Sequence, residues 1–204
     1  MNELHDVAAG DDRERRRLAA LASYNVLDTP RERAFDEVAA LAGRLCDTPI
    51  AVVNLIDSGR QSFKAEVGLG VRETPRPLSF CARAMLGDDV MVIPDAMQDD
   101  RFIDNDLVTG PPHIRFYAGY PLRTPDGVPL GALCVLDDTP RPLGLNELQL
   151  MALKTLAHQV MTQLELRRAL LDRDLSDRTA WLAIEASAYV GAWDWDIPEN
   201  RVIA

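Results

Sequence analysis

RFYAGYPLRTPDGVPLGALCVLDDTPR, Arg115 to Arg141, holds two short apolar runs joined by Pro125-Asp126-Gly127. A Pro-Asp-Gly turn between such runs predicts a β-hairpin, with strands over about 115–123 and 128–137. Gly119 and Gly131 fall inside those strands. A missing side chain there permits a close approach or a bulge. The hairpin also carries a Phe116-Tyr117 pair and an isolated Cys134. It is either plain sheet core or the wall of a site.

The flanking sequence supplies the rest of a sheet. PIAVVNLID (49–57) is a β-branched run, and SGR turns it into QSFKAEVG, a second hairpin. ETPRPLSF, with two prolines, reads as loop, CARAML as one or two helical turns, and VMVIPD (90–95) as a strand stopped by Pro94. AMQDDRFIDNDLVTGPPH is a long polar loop, and loops of that length inside a domain are often functional. Helical spacing appears from Arg13 to Val26, from Arg33 to Leu45 with Thr29 and Pro30 as a start signal, and from Leu145 to about Asp174. The order predicts an α+β fold, a mostly antiparallel sheet with helices on one face and a long C-terminal helix. That helix carries two apolar stripes. Leu150, Leu153, Ala157, Val160, Leu164 and Leu171 approximate a heptad seam suited to a second copy of the chain. Leu148, Ala152, Thr155 and Leu156 are the stripe expected to face the sheet.

Composition narrows the function. The 204 residues are 47% apolar, and no apolar run approaches the ~18 to 20 residues that cross a bilayer. The N-terminus lacks a signal-peptide core, so a cytoplasmic location without membrane insertion is expected. The net charge of −10 disfavours nucleic acid, whose phosphates require clustered Lys and Arg. The one dense basic cluster, Arg13 to Arg17, reads as a solvated helix face. Cys46, Cys81 and Cys134 are far apart and form neither a CxxC nor a zinc-ligand pattern with the three histidines. No metal site and no cofactor are named by the sequence.

PIAVVNLIDSGRQSFKAEVG, SFCARAM, VIPDAMQDDRF, the opening hairpin and LAHQVMTQLELRR resemble, in that order, the GAF domain family of bacterial signalling proteins. The resemblance runs from about Ala19 to Arg168. GAWDWDIPENRV resembles the opening strands of a PAS domain. Together they imply a tail over 1–12, a GAF domain with flanking helices over 13–170, a helical linker over 171–190 and the start of a PAS domain over 191–204. A strand pair alone is marginal, so a longer protein is expected. The implied role is the sensory input of a sensor histidine kinase, with a diguanylate cyclase or phosphodiesterase as the other outputs. The dimeric helix would relay the signal.

The resemblance also places a small-molecule pocket between the sheet and the loop-rich side. In this chain it would gather Phe80, Cys81, Asp95, Phe102, Phe116, Tyr117 and Cys134, aromatic walls with a few polar groups. The ligand is unidentified, and the same aromatics could simply fill a core. Bilin attachment lacks its Cys-His dipeptide, and cyclic-nucleotide binding its Asn-Lys. Some GAF proteins reduce free methionine sulfoxide through closely placed cysteines, an arrangement this sequence does not show. A thiol-dependent reductase using Cys81 or Cys134, and a ligandless dimerisation scaffold, are the alternatives. Asp95 and Asp99 are expected to bond loop amides, with Arg101 pairing to one of them. His158 lacks the acidic neighbour and following proline of a phosphoacceptor histidine.

Overall fold

In the computed structural model, residues 2–189, 194–196 and 201–203 are described. The chain divides into two compact units, residues 1–165 and 166–204. The first opens with helices α1 (Asn2–Ser23) and α2 (Arg33–Cys46). Strands β1 (Ile50–Ile56), β2 (Arg60–Val67) and β3 (Glu73–Pro75) follow, then α3 (Phe80–Ala84) and β4 (Met91–Ile93). Helix α4 (Asp106–Thr109), strands β5 (Phe116–Arg123) and β6 (Pro129–Asp137), and the first part of helix α5 (Glu147–Tyr189), whose residues from Leu166 on belong to the second unit, complete the order. Six strands form one sheet in the order β3-β2-β1-β6-β5-β4, with every neighbouring pair antiparallel. The expected α+β architecture is therefore the observed one.

β1 reads IAVVNLI because both of its faces are covered, and all seven residues are buried. Pleating sends alternate residues to two separate cores. Under one face, Val53, Leu55, Phe116, Leu133 and Val135 meet Phe35, Val38 and Ala42 of α2 and Leu153, Ala157 and Val160 of α5. Under the other, Val52, Phe63, Tyr117, Cys134 and Leu136 meet Phe80, Cys81, Phe102, Val108 and Ile114. Long helices thus cover one face. The other lies beneath α3, α4 and two 3-10 turns, Arg76–Leu78 and Ala96–Gln98.

Several expectations need correction. The seam assigned to a second copy is the stripe that enters this chain's own core. Leu153, Ala157, Val160 and Leu164 are all buried and Leu150 packs against them. Leu148, expected to face the sheet, is 73% exposed. Both stripes satisfy helical periodicity, which fixes their spacing and not which one the sheet takes. Residues 2–12, expected as a tail, belong to α1. Gly10 does not end that helix, since an interior glycine costs only about 1 kcal/mol. β3 lies in the proline-rich stretch expected to be loop, at a sheet edge where a proline is tolerated. Thr29 does not cap α2. Its hydroxyl donates to the Val26 carbonyl and accepts from the buried Lys64 ammonium, which also pairs with Glu32 at 2.5 Å.

Nor is Arg17 part of a solvated face: it is buried, donating to the Ile56 carbonyl at 2.6 Å and twice to Glu14. Glu14 also accepts from Arg76 at 2.6 Å, so α1 is pinned to the end of β1 and to the turn after β3. The hydrogen bond from Arg17, opposed by partial burial and reinforced by Arg76, holds the Glu14 carboxyl near 2 against an ordinary 4.5. A folded value below the unfolded one means that the contribution is complete above pH 4.5 and is lost as pH falls toward 2. Solvent screens this partly exposed carboxylate, so the expected contribution is about 1 kcal/mol. Urea midpoints at about pH 5 and about pH 3 should accordingly converge in Glu14→Gln relative to wild type. An unchanged pH dependence in the variant would remove Glu14 from the account.

In the second unit, β7 (Asp194–Asp196) and β8 (Arg201–Ile203) pair antiparallel, within the two strands expected there. The remainder of the expected PAS opening lies outside the described residues. Among the described residues, no helix is long and apolar enough to cross a membrane.

Candidate functional site

Three short polar residues build the layer over the second face. Ser79 accepts from the Ala82 amide and starts α3. Asp95 accepts from the Met97 amide and starts a 3-10 turn, and Asn105 accepts from the Leu107 amide and starts α4. Each satisfies a backbone donor that a short element leaves open. Asp99 likewise accepts from the Arg101 amide and forms an ion pair with the Arg101 guanidinium at 2.6 Å. Hydrogen bonding from Arg101 holds the Asp99 carboxyl below the usual carboxylate range, burial working against it. These carboxylates bond the loop itself, as expected.

Beneath that layer the rings of Phe80 and Phe102 stack with centroids 4.1 Å apart, and Phe80 meets Tyr117 at 5.3 Å. A cavity of about 30 Å³ lies between them and the sheet, lined by Val52, Gln61, Phe63, Phe80, Cys81, Ile114, Tyr117 and Cys134 among others. Five of the seven expected pocket residues thus share one cluster: Phe80, Cys81, Phe102, Tyr117 and Cys134. Two do not. Phe116 points to the helical face, because consecutive strand residues alternate, and its ring lies under the Arg141 guanidinium. Asp95 is occupied as a cap, binding the Met97 amide and the Gln98 side chain.

The sulfur atoms are the polar centre of this cluster. Cys81 at the start of α3 and Cys134 in the middle of β6 place their Sγ atoms 3.2 Å apart, both as free thiols. The Tyr117 hydroxyl donates to Cys81 Sγ at 3.2 Å, and the Asn54 amide nitrogen lies 3.9 Å from Cys134 Sγ. Tyr117 reaches that position by lying along its own strand over Gly119, where a β-carbon would overlap its hydroxyl. Burial works against a Cys81 thiolate, but hydrogen bonds from Cys134, Tyr117 and Asn54 outweigh it and lower its pKa. Burial, followed by the neighbouring Cys81, raises Cys134, and burial also raises Tyr117. Cys46 stands apart on the helical face, where burial pushes it up to about 11.

Sequence reasoning left two features unread. The proximity of two cysteines 53 positions apart depends on how α3 lies on β6. Asn54 carried a usable signal: it is the one polar residue in IAVVNLI, and period two puts it on the face of Val52 and Ile56. His158 is exposed on α5, edge-on to Tyr120 at 5.5 Å.

The GAF domain family model matches residues 30–164. A cyclic di-GMP phosphodiesterase of Pseudomonas aeruginosa is 43% identical over 156 residues, which are 76% of this chain and 26% of that protein. The chain therefore spans about a quarter of that relative's length. Among solved structures, a domain of a two-component sensor histidine kinase protein from Sinorhizobium meliloti superposes with a TM-score of 0.54. It is 16% identical, and the match covers 70% of this chain and 97% of that one. Free methionine-R-sulfoxide reductase from Neisseria meningitidis, solved with its substrate, also gives 0.54, at 18% identity over 72% of this chain and 87% of its own. At those identities the likeness is one of fold alone. With the family model matching most of the first unit, on a six-stranded sheet flanked as described, the chain belongs to the GAF domain family.

Proposed function

We propose that this GAF domain is the sensory input of a longer cytoplasmic signal-transduction protein, and that its sensing site is the cavity between the sheet and the α3–α4 layer. The 43% identical phosphodiesterase carries the first half of this reading, because it matches three quarters of this chain with a quarter of its own length. It favours turnover of cyclic di-GMP as the output over the histidine kinase expected from sequence. The kinase reading is supported only by a fold likeness at 16% identity. The strands at 194–196 and 201–203 are consistent with a PAS domain between sensor and output.

The covering layer supports the second half. Small-molecule pockets usually hold roughly 300–1,000 Å³, so a ligand has to enlarge the 30 Å³ cavity. α3 has five residues and α4 four, so displacing them breaks few backbone bonds. Differential affinity for the open arrangement would then shift the population. A homodimer remains part of the reading, with its face moved. Leu41 and Leu45 of α2 and Leu148 and Met151 of α5 are exposed, and the Gln149 side chain donates to the Leu45 carbonyl between them.

Deleting residues 30–164 from the full-length protein is expected to change its rate of cyclic di-GMP hydrolysis. An identical rate would defeat the sensory role, and no hydrolysis in the intact protein would defeat the proposed output. Indole and similar small aromatic probes are expected to raise the melting temperature of this domain and to slow amide exchange in α3. A panel that does neither would defeat the sensing site.

A further inference from the structure

We propose that Cys81 and Cys134 are a two-electron redox site, forming a reversible disulfide between α3 and β6 when a small peroxide reaches the cavity. The sulfurs are 3.2 Å apart, so a bond of about 2.05 Å needs an approach of about 1 Å. One sulfur sits on the five-residue α3 and the other on a central strand, so the short element can make that move. The cavity bordered by both cysteines holds about 30 Å³, and a water-sized molecule needs roughly 10–15 Å³. Hydrogen peroxide fits that space and bulky oxidants do not.

The polar groups around the sulfurs suit the chemistry. Cys81 Sγ accepts from the Tyr117 hydroxyl and stands beside the Cys134 thiol, which favours the nucleophilic thiolate at Cys81. Asn54 is fully buried, and its Oδ1 has no hydrogen-bond partner while its amide nitrogen faces Cys134. A buried acceptor left open is costly. It is available to an S–OH group formed beside it.

The steps balance. The Cys81 thiolate attacks one peroxide oxygen; the S–O bond forms, the O–O bond breaks, and the departing hydroxide takes a proton to become water. Cys134 sulfur then attacks Cys81 sulfur; the S–S bond forms and the S–O bond breaks. The departing hydroxide takes the Cys134 proton as a second water. Two thiols and one hydrogen peroxide thus give a disulfide and two waters, and a dithiol reverses the change by exchange. The pair borders the sensing cavity proposed above, yet its oxidation requires no ligand there.

The test uses the whole chain, reduced, with its three free thiols. After brief exposure to hydrogen peroxide, thiols titrated in denaturant are expected to fall from three to one, leaving Cys46. The mass should drop by two hydrogens, a Cys81–Cys134 cross-linked peptide should appear, and dithiothreitol should restore all three thiols. Tyr117→Phe is expected to slow the oxidation about tenfold at neutral pH and to move its pH–rate midpoint upward, because the Cys81 thiolate loses a hydrogen-bond donor. Three titratable thiols after treatment, or a cross-link that includes Cys46, would overturn the proposal. These measurements on the unaltered chain decide the matter even if the Tyr117 variant fails to fold. They are also independent of whether indole binds.

Discussion

Gly131→Ala is expected to lose about 3 kcal/mol or more of folding stability, at the upper end of what overpacking costs. Gly131 lies in β6 against β1, opposite Leu55 in register. A β-carbon there would overlap the Asn54 carbonyl oxygen and lie 2.9 Å from both its carbon and Leu55 Cα. Those atoms are backbone of a strand paired on both edges, so no side-chain rotation relieves the clash. With a urea slope of about 2 kcal/mol per molar, the midpoint should fall by roughly 1.5 M. Gly127 provides the contrast. It takes a φ of 84° in the hairpin turn, but nothing lies within 4 Å of its missing β-carbon. Alanine there should cost only about 1 kcal/mol, through backbone conformation. Equal midpoints for the two variants would refute the close-approach account.

Val160→Asp should be at least as damaging. Val160 is fully buried with Leu153, Ala157 and Leu164 between α5 and the sheet. An unpaired carboxylate there loses its hydration and gains no partner, an expected cost of about 4 kcal/mol or more. Circular dichroism should show an unfolded or barely folded chain. A folded monomer is the result expected if the residue belonged to a dimer seam. Leu148→Asp and Met151→Asp, on the exposed side of the same helix, should change stability by less than about 0.5 kcal/mol. If the chain self-associates through that side, sedimentation will show those two variants as folded monomers. A folded Val160→Asp monomer would restore the seam.

The contrast between these helix faces shows where the sequence was legible. Short apolar and β-branched runs with their turn chemistry locate β1, β2, β5 and β6, because a buried strand in a hairpin leaves its signature within a few residues. The identity of α5 was equally plain. Its orientation was not, because two apolar stripes each met the periodicity, and the choice between them belongs to the shape of the sheet. The candidate site divided in the same way. Phe80, Cys81 and Tyr117 carry local signals of a helix start and a strand face. The meeting of Cys81 with Cys134 is a long-range packing event that no spacing announces. Phe116 belongs to the opposite face from Tyr117, as strand alternation requires of consecutive residues, and grouping the two in one pocket overlooks that rule. Arg17 was misread because its burial depends on Ile56, 39 residues away.

That opposed pair has a mechanical meaning. Tyr117 touches the sulfurs on one face. Phe116, the next residue, lies under Arg141 on the other, and Arg141 donates to the Cys46 carbonyl at the end of α2. Only the thickness of one strand separates the cavity from the helices. An occupant that rotates or lifts β5 therefore loads both faces in the same displacement, as a lever does across its fulcrum.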